Sequence, residues 1–449
     1  MKMDGAENFY RQFHDRTFKY GERPLDPNVR LAITAEQSYL NSRPGQAAVI
    51  VASELLCRLS QKVSLAFADF EFDQTFSGPF HGSAHSCLID RMQSVAPPGQ
   101  FTAEPARSND YIIHLGSQGD SWIAHGSDWN LYTGPSPSPL GKAQSANIFG
   151  SCLATISAIA QIFGHRLPGE LKPTVANALS LESSATDQTD WLPPESYLGE
   201  LWFVGCGSVG SAVAYFLALA GYKFDAVLFD KDPIELENLT RSPIFHFDHV
   251  GEPKVESVGR FFALFNINTK AEPRWLHESS LWAERPAGRP DLIISAANEH
   301  NVRFQIESQF PCPQIYGTTG KNWLSNVFRH IPPGPCSSCS FPPSKKETSC
   351  ATGEVTDTQN PEKKVDAALP FLSFAAGLLA AAEISKLQLS NFPYSKDRGF
   401  FEPLGGKPLY STDIKHRDSC VCADRHRNVH KSVLQGTRYE ALCFTELAI

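Results

Sequence analysis

The chain has 449 residues, about three times the usual domain size, so two or three domains and a large buried core are expected. With 42% hydrophobic, 20% charged and 11% aromatic residues, it is composed like a folded globular protein and not like a mostly disordered one. Its 40 Lys plus Arg stand against 48 Asp plus Glu, a net charge of −8, and no stretch gathers five or six like charges, which excludes nucleic acid as a main partner.

The opening MKMDGAENFYRQF has no apolar core of the kind a secretory signal needs, which predicts a cytoplasmic protein whose eleven cysteines are thiols. QAAVIVASELLCRLSQ, KVSLAFADFEF, DYIIHLG and SWIAHG then carry strand and helix signals, with no glycine turn after the first strand. Gln144 to Gly164 is uncharged but interrupted by Ser, Thr, Gln and Asn, and Ala367 to Ala382 is apolar but short. A membrane span needs roughly twenty predominantly apolar residues, so both are expected as buried helices and no membrane association is predicted. The segment 167–200 is rich in Pro, Ser, Thr and acidic residues and is expected to connect two domains. Beyond it, LWFVGCG reads as a strand entering a glycine turn, Ser211 to Gly221 as a helix, and DAVLFD and DLIISA as further strands. Strands alternating with helices predict an α/β fold with mostly parallel, doubly wound sheets. The two halves also end alike, in the small-residue apolar helices Ser145 to Phe163 and Leu369 to Leu387, which predicts two copies of one Rossmann-like unit, the first degenerate.

Gly205, Gly207 and Gly210 form G-x-G-x-x-G between a strand and a helix, so backbone N–H groups at a helix N-terminus can face a phosphate. The motif fits NAD as well as other nucleotides, and Asp230 at the end of the second strand suits a ribose hydroxyl in either case. Asp232, Asn238, Arg241 and Lys254 follow in one run. A guanidinium fork and an ammonium beside the nucleotide favour a triphosphate, because charge develops on the phosphoryl oxygens when the α-phosphate is attacked. ATP is therefore the expected ligand.

The run GCGSVGSAVAYFLALAGYKFDAVLFDKDPIELENLTRSPIF…VGEPKVES resembles the adenylation domain of the ubiquitin-activating, ThiF and MoeB superfamily. The resemblance covers roughly residues 198–425. It implies adenylation of the C-terminal glycine of a ubiquitin-like protein, with Asp230 on the ribose and Asn238, Arg241 and Lys254 on the phosphates. It also implies Mg2+ carried with ATP, but at the position where the superfamily usually has a magnesium-holding Asp this chain has Asn298. An amide oxygen is a poorer ligand for a hard cation than a carboxylate. Three outcomes stay open: Glu299 or another group takes over, adenylation is impaired, or the chain is an altered variant.

Cys336 and Cys339 at C-x-x-C spacing, with Cys420 and Cys422 near the C-terminus, suit a tetrahedral structural Zn2+ that ties a loop to the chain end. The second pair departs from the superfamily's usual C-x-x-C, and His416 is an alternative ligand. Cys350 stands in a polar loop with nearby lysines, where a thiolate is favoured. The superfamily places a thioester-forming cysteine in such a crossover loop, which makes Cys350 the candidate nucleophile. Cys57, Cys87, Cys152, Cys312 and Cys443 are expected as core or incidental thiols. HDRTFKYG, His14 to Gly21, resembles the YDRQLRLWG signature that sends an arginine across a pseudo-twofold axis to the partner domain's ATP. Arg16 matches that arginine, and Arg11 is a weaker candidate.

These readings predict an inactive adenylation-like domain over 1–166, a linker over 167–200, an active adenylation domain with a cysteine loop and a zinc-bound crossover region over 201–430, and a tail over 431–449. That layout resembles the activating enzymes of bacterial ubiquitin-like conjugation operons of the Bil antiphage type. The expected partners are a ubiquitin-like protein and a conjugating enzyme, with the halves acting within one chain or across a homodimer. The alternatives are a sulfur-carrier adenylyltransferase and a pseudoenzyme that docks a ubiquitin-like protein.

Overall fold

The computed structural model describes residues 5–19, 25–26, 28–73, 76, 78–164, 172–186, 190–284, 290–297, 300–309, 312–320, 322–332, 334–340, 355–357, 360–365, 369–389, 396–418, 420, 422, 431–432 and 434–442. The first half opens with α1 (Gly5–Phe13) and α2 (Asp15–Lys19). Its sheet uses β1 (Leu31–Ala35), β2 (Lys62–Leu65), β3 (Gln100–Thr102), β4 (Tyr111–Leu115), β5 (Trp122–Ser127), β6 (Asn130–Gly134) and β7 (Thr174–Asn177) in the order β3-β2-β1-β4-β5-β6-β7. Helices α3 (Gln37–Leu40), α4 (Arg43–Leu56), α5 (Ala84–Val95) and α6 (Phe149–Gly164) accompany it.

The second half runs β8 (Tyr197–Val204), α7 (Ser208–Leu219), β9 (Lys223–Phe229), α8 (Lys254–Ala263), β10 (Asn268–Glu272), α9 (Ser280–Ala283), β11 (Leu292–Ser295) and α10 (His300–Ser308). It continues through β12 (Gln314–Gly320), β13 (Leu324–His330), α11 (Ser337–Ser340), a separate antiparallel pair β14 (Val355–Asp357) and β15 (Asn360–Val365), α12 (Pro370–Lys386), β16 (Arg398–Phe401) and β17 (Leu409–Thr412). Its main sheet has the order β10-β9-β8-β11-β12-β13-β16-β17.

The seven strands of the first sheet match the first seven of the second, which adds β17 at its edge. In each, the central strand pairs in parallel on both sides, so that β3-β2-β1-β4-β5 corresponds to β10-β9-β8-β11-β12, and antiparallel strands follow at one edge. Two Rossmann-like units are therefore present. The first strand of the first unit is LAITA, a short β-branched run that lies ahead of the segments read as its sheet. β7 falls within the 167–200 stretch expected as a connection and pairs with β6 from Thr174 opposite Thr133 to Asn177 opposite Asn130, with Thr174, Ala176 and Asn177 buried.

At the switch point of the second sheet β8 leads into Gly205, whereas β1 leads into Glu36. The Glu36 carboxylate accepts hydrogen bonds from the Gln118 backbone N–H (2.5 Å) and the Ser117 hydroxyl (3.3 Å), in the loop after β4. The first crevice is thus filled by the chain's own anion where the second presents glycines. Helices α6 and α12, mostly apolar and buried nearly all round, pack on their own sheets and on one another, with the Phe163 and Phe371 ring centroids 5.5 Å apart. No described helix is long and apolar enough to cross a membrane.

A buried ionic cluster lies on the side of the first half that faces the second. Glu54 on α4 is 2% exposed and takes Arg91 of α5 at 2.5 Å and Arg58 at 2.6 Å. Burial alone would push its carboxyl up, but the two guanidiniums override that and hold it at about 2. A carboxyl whose pKa is lower folded than unfolded contributes stability above the unfolded value, and that contribution disappears as pH falls toward about 2. We expect Glu54→Gln to lose about 3–5 kcal/mol at neutral pH, as buried pairs do when one partner is removed, and to flatten the acid limb of stability. Urea titrations between neutral pH and pH about 2 would show parallel limbs for the two chains if Glu54 carried no such linkage.

Candidate functional site

The pocket forms at the C-terminal ends of β8, β9 and β11, where strand order reverses and an open α/β sheet leaves a crevice. β8 ends at Val204 and the chain turns at Gly205, whose φ of +96° favours glycine. A Cβ there would come within 2.8 Å of the Ala297 nitrogen, and one on Gly210 within 2.0 Å of the Gly205 carbonyl oxygen. A Cβ on Gly207, the residue that precedes α7, would meet nothing within 4 Å, so that glycine faces the open pocket. Two glycines therefore close the turn against β11 and α7, and the third leaves room for a ligand at the helix N-terminus.

Asp230 follows β9 and is tied to this turn. Its carboxylate accepts from the Cys206 N–H at 2.8 Å and from the Asp232 N–H at 2.9 Å, and burial pushes its pKa up against the pull of Lys254. Cys206 itself is buried, and burial pushes its thiol well above the ordinary range, which leaves it protonated near neutral pH. Beyond Asp230 the chain doubles back: Pro233 bridges Pro253, Ile234 N–H donates to Glu252 at 2.8 Å, and Lys254 N–H donates to Asp232 at 3.1 Å. This ribbon starts α8 with Lys254 and sets its Nζ 3.2 Å from Asp232 Oδ2.

Between the two arms of the ribbon, Leu236–Asn238 makes one tight turn, in which Asn238 Oδ1 accepts from the Glu235 N–H at 3.2 Å. Asn238 thus spends its amide oxygen on shaping its own turn. Arg241, 9% exposed, donates from Nη1 to the Glu237 carbonyl at 2.9 Å. Arg16 arrives from α2 of the same chain, and its Nε donates to Glu237 Oε1 at 2.6 Å.

Arg16, Gly205, Gly207, Asp230, Asp232, Asn238, Arg241 and Lys254 all line one pocket. Gly210 packs behind the turn instead of lining it, and Arg11, exposed in the last turn of α1, is not part of the lining. Asn298, Glu299 and Cys350 lie outside the described residues. Arg303 is buried and donates to the Ala297 carbonyl at 3.2 Å.

Sequence reasoning missed Lys231, Arg274 and Trp275, which also line the pocket. Lys231 Nζ sits 4.4 Å from the Trp275 ring centroid, and Arg274 Nε is 3.1 Å from Glu272 Oε2. Arg274 and Trp275 follow β10, the neighbour of β9, so recognising NTKAE as a strand would have placed the next residues at the binding edge. Cationic groups from five positions therefore meet an acidic floor at a helix N-terminus. This arrangement suits a polyphosphate attached to a sugar and base.

The second cluster lies after β13 and β17. The Sγ atoms of Cys336 and Cys420 are 3.2 Å apart, those of Cys339 and Cys422 are 3.4 Å apart, and all four lie within 4.8 Å of one another. A tetrahedral zinc with Zn–S near 2.3 Å sets its sulfurs about 3.8 Å apart, so the donor set fits with a small outward movement. His416 Nδ1 is 3.6 Å from Cys422 Sγ, at the margin of the cluster. The first pair is held from behind: the Ser337 N–H and hydroxyl both donate to Glu307 at 3.0 Å, and Glu307 pairs with His330 at 2.9 Å. Cys57, Cys152 and Cys312 are buried core thiols and Cys87 is half-buried; Cys443 lies outside the described residues.

The ThiF family profile matches residues 200–410, which contain the pocket's glycine turn and its cationic run; residues 1–199 lie outside the match. The SAMP-activating enzyme E1 of Haloferax volcanii is 27% identical over 213 residues, covering 46% of this chain and 70% of that protein. The adenylyltransferase and sulfurtransferase MOCS3 of Mus musculus is 28% identical over 250 residues, 54% of this chain and 50% of that protein, so the chain spans about half the length of the mouse relative. The sulfur carrier protein adenylyltransferase of Thermus thermophilus is 28% identical over 220 residues, 46% of this chain and 72% of that protein.

Proposed function

With a domain of the ThiF family at residues 200–410, within the ThiF/MoeB ubiquitin-activating-like adenylation superfamily, as the premise, we propose that this chain is an ATP-dependent adenylyltransferase acting on the C-terminal carboxylate of a ubiquitin-like or sulfur-carrier protein. The observation that carries the reading is the meeting, within one chain, of Arg16 from the first half with Arg241 and Lys254 from the second around the glycine turn. The carrier's carboxylate oxygen bonds to the α-phosphorus and the bond from that phosphorus to the α–β bridging oxygen breaks. Pyrophosphate departs with the electron pair, and an acyl-adenylate remains. The carboxylate is already ionised, so no general base is needed. What the site supplies is position and positive charge: Gly207 admits the phosphates to the N-terminus of α7, Asp230 holds the ribose, and Lys254, Arg241 and Arg16 face the charge that shifts onto the leaving group. ATP brings Mg2+, which offsets the same charge.

In the fuller form of this reading Cys350 then attacks the acyl carbonyl as a thiolate, AMP leaves, and the carrier is held as a thioester for a conjugating enzyme, as in bacterial antiphage conjugation. A second reading ends in sulfur transfer to the carrier, and the names of the mouse and Thermus relatives favour it. The domains proposed for the chain are an inactive unit at 1–166 completed by β7 from within the 167–200 connection, the active unit at 201–430, whose first strand β8 begins at Tyr197, and a tail at 431–449. The test is ATP-dependent pyrophosphate exchange with candidate carriers ending in glycine, followed by non-reducing gels. Thioester chemistry predicts a thiol-sensitive adduct that Cys350→Ser abolishes while leaving exchange within about twofold, since the thiol acts only after adenylation. A thiocarboxylate product without an adduct selects sulfur transfer, and exchange at background with every carrier leaves a docking protein.

A further inference from the structure

The backbone on either side of Arg241 is held by the other half of the molecule. Arg58, two residues past the end of α4, is fully buried. Its Nε donates to the carbonyl of Leu239 at 2.9 Å and its Nη2 to the carbonyl of Ser242 at 3.1 Å. Its Nη1 donates to Glu54 Oε2 at 2.6 Å and to the Glu54 carbonyl at 2.6 Å. Glu54 in turn accepts from Arg91 Nε at 2.8 Å, and three residues along α5 the Ser94 hydroxyl lies 3.1 Å from His246 Nδ1. The segment 239–246 is thereby fastened at three points to the first half, two through Arg58 just past α4 and one through Ser94 on α5.

A guanidinium is a rigid planar fork, so the two carbonyls it spans are fixed relative to each other, and Arg241 stands between them. With Nη1 of Arg241 already anchored on the Glu237 carbonyl, little of that side chain's freedom remains to be lost when an anion arrives. The arrangement is also an expensive way to seal an interface. Two guanidiniums and one carboxylate are removed from water where apolar side chains would serve, and this cost points to a purpose other than stability.

We propose that Arg58 is a positioning residue for Arg241, and that the first half, through Arg58, Glu54, Arg91 and Ser94, presets the guanidinium toward the polyphosphate before the nucleotide binds. The proposal rests on the adenylation reading and assigns the first half a task separate from delivering Arg16. It is tested on the full chain by calorimetry with two probes, MgATP and adenosine. Arg58→Lys keeps a charge opposite Glu54 but loses the fork. It is expected to leave adenosine affinity within about twofold and to weaken MgATP about tenfold, the scale of a charge-assisted hydrogen bond. Added to Arg241→Ala, it should weaken MgATP no further, because both changes remove one interaction. Should Arg58→Lys fail to fold, Ser94→Ala, which spares the ion cluster, carries the same comparison with an expected loss of about threefold for MgATP alone. Equal weakening of both probes, or additive losses with Arg241→Ala, overturns the proposal and leaves the adenylation reading standing. An unmodified chain that binds adenosine no less tightly than MgATP overturns both, and that result is visible before any variant is made.

Discussion

Arg241→Ala is expected to lower carrier-dependent pyrophosphate exchange by about 10²–10³-fold, the scale observed when one preorganised donor to a developing oxyanion is removed. Lys254→Ala should fall in the same range, and the double variant should lose less than the product, because the two cations serve one charge. The loss should appear mainly in kcat. Both groups meet the triphosphate in its ground state, but negative charge grows on the leaving pyrophosphate only as the α–β link breaks. Arg241→Lys is not expected to restore the rate, since an ammonium cannot hold the Glu237 carbonyl and a phosphate in one plane as the fork does. A loss below about threefold for both single variants would place these cations away from the reacting phosphates. Arg16 lines the pocket of its own chain, so mixing Arg16→Ala with Arg241→Ala chains should recover no exchange. Recovery would mean that the arginine is supplied by a second copy.

Cys336→Ser is expected to release one equivalent of zinc and to unfold the crossover region. Chelation of the unmodified chain should bring it to the same melting temperature. Metal bound only to the folded state stabilises by mass action, about 4 kcal/mol at a thousandfold excess over Kd, and four thiolates commonly bind zinc far more tightly than that margin requires. Cys336 lies after β13 and Cys420 after β17, so the loss of zinc leaves the two segments joined by weaker contacts such as the Arg417 Nη1 bond to the Ser338 carbonyl at 3.0 Å. Metal analysis beside a melting curve decides the matter. An unmodified chain purified without zinc, and melting alike with and without chelator, would reduce the cluster to four packed thiols. His416→Ala is expected to leave the zinc content unchanged, because His416 is exposed and touches only the sulfur of Cys422 among the four.

The nucleotide turn was legible because its chemistry is local. G-x-G-x-x-G needs a positive φ at Gly205 and a close approach of Gly210 to the Gly205 carbonyl within six residues, and those demands exclude most other residue types at the two positions. The cysteine pairs were legible for the same reason, each pair being set by spacing along a short segment. The helices at 149–164 and 370–386 could be read from their predominance of apolar and small residues on all faces, which requires burial on every side. By contrast, β7 (TVAN) and β10 (NTKAE) are short and carry polar residues at half or more of their positions, so no apolar run marks them off from loops. Lys231, Arg274 and Trp275 were hidden along with β10, since a residue at the end of an unrecognised strand has no assigned place at the sheet's edge.

Sequence alone determined which residues could do the chemistry: a turn open to phosphate, a run of cations after the second strand of its sheet, and thiols at metal spacing. Their local constraints act over a few residues and survive without neighbours. Only the tertiary structure decided that Arg16 comes within reach of Arg241, that Glu36 occupies the crevice of the first sheet, and that Arg58 holds the loop of the second. Each of these joins groups separated by roughly 80 to 225 residues. Contacts of that kind depend on how two duplicated sheets close around α6 and α12, and burial among distant elements leaves no periodic trace in the chain.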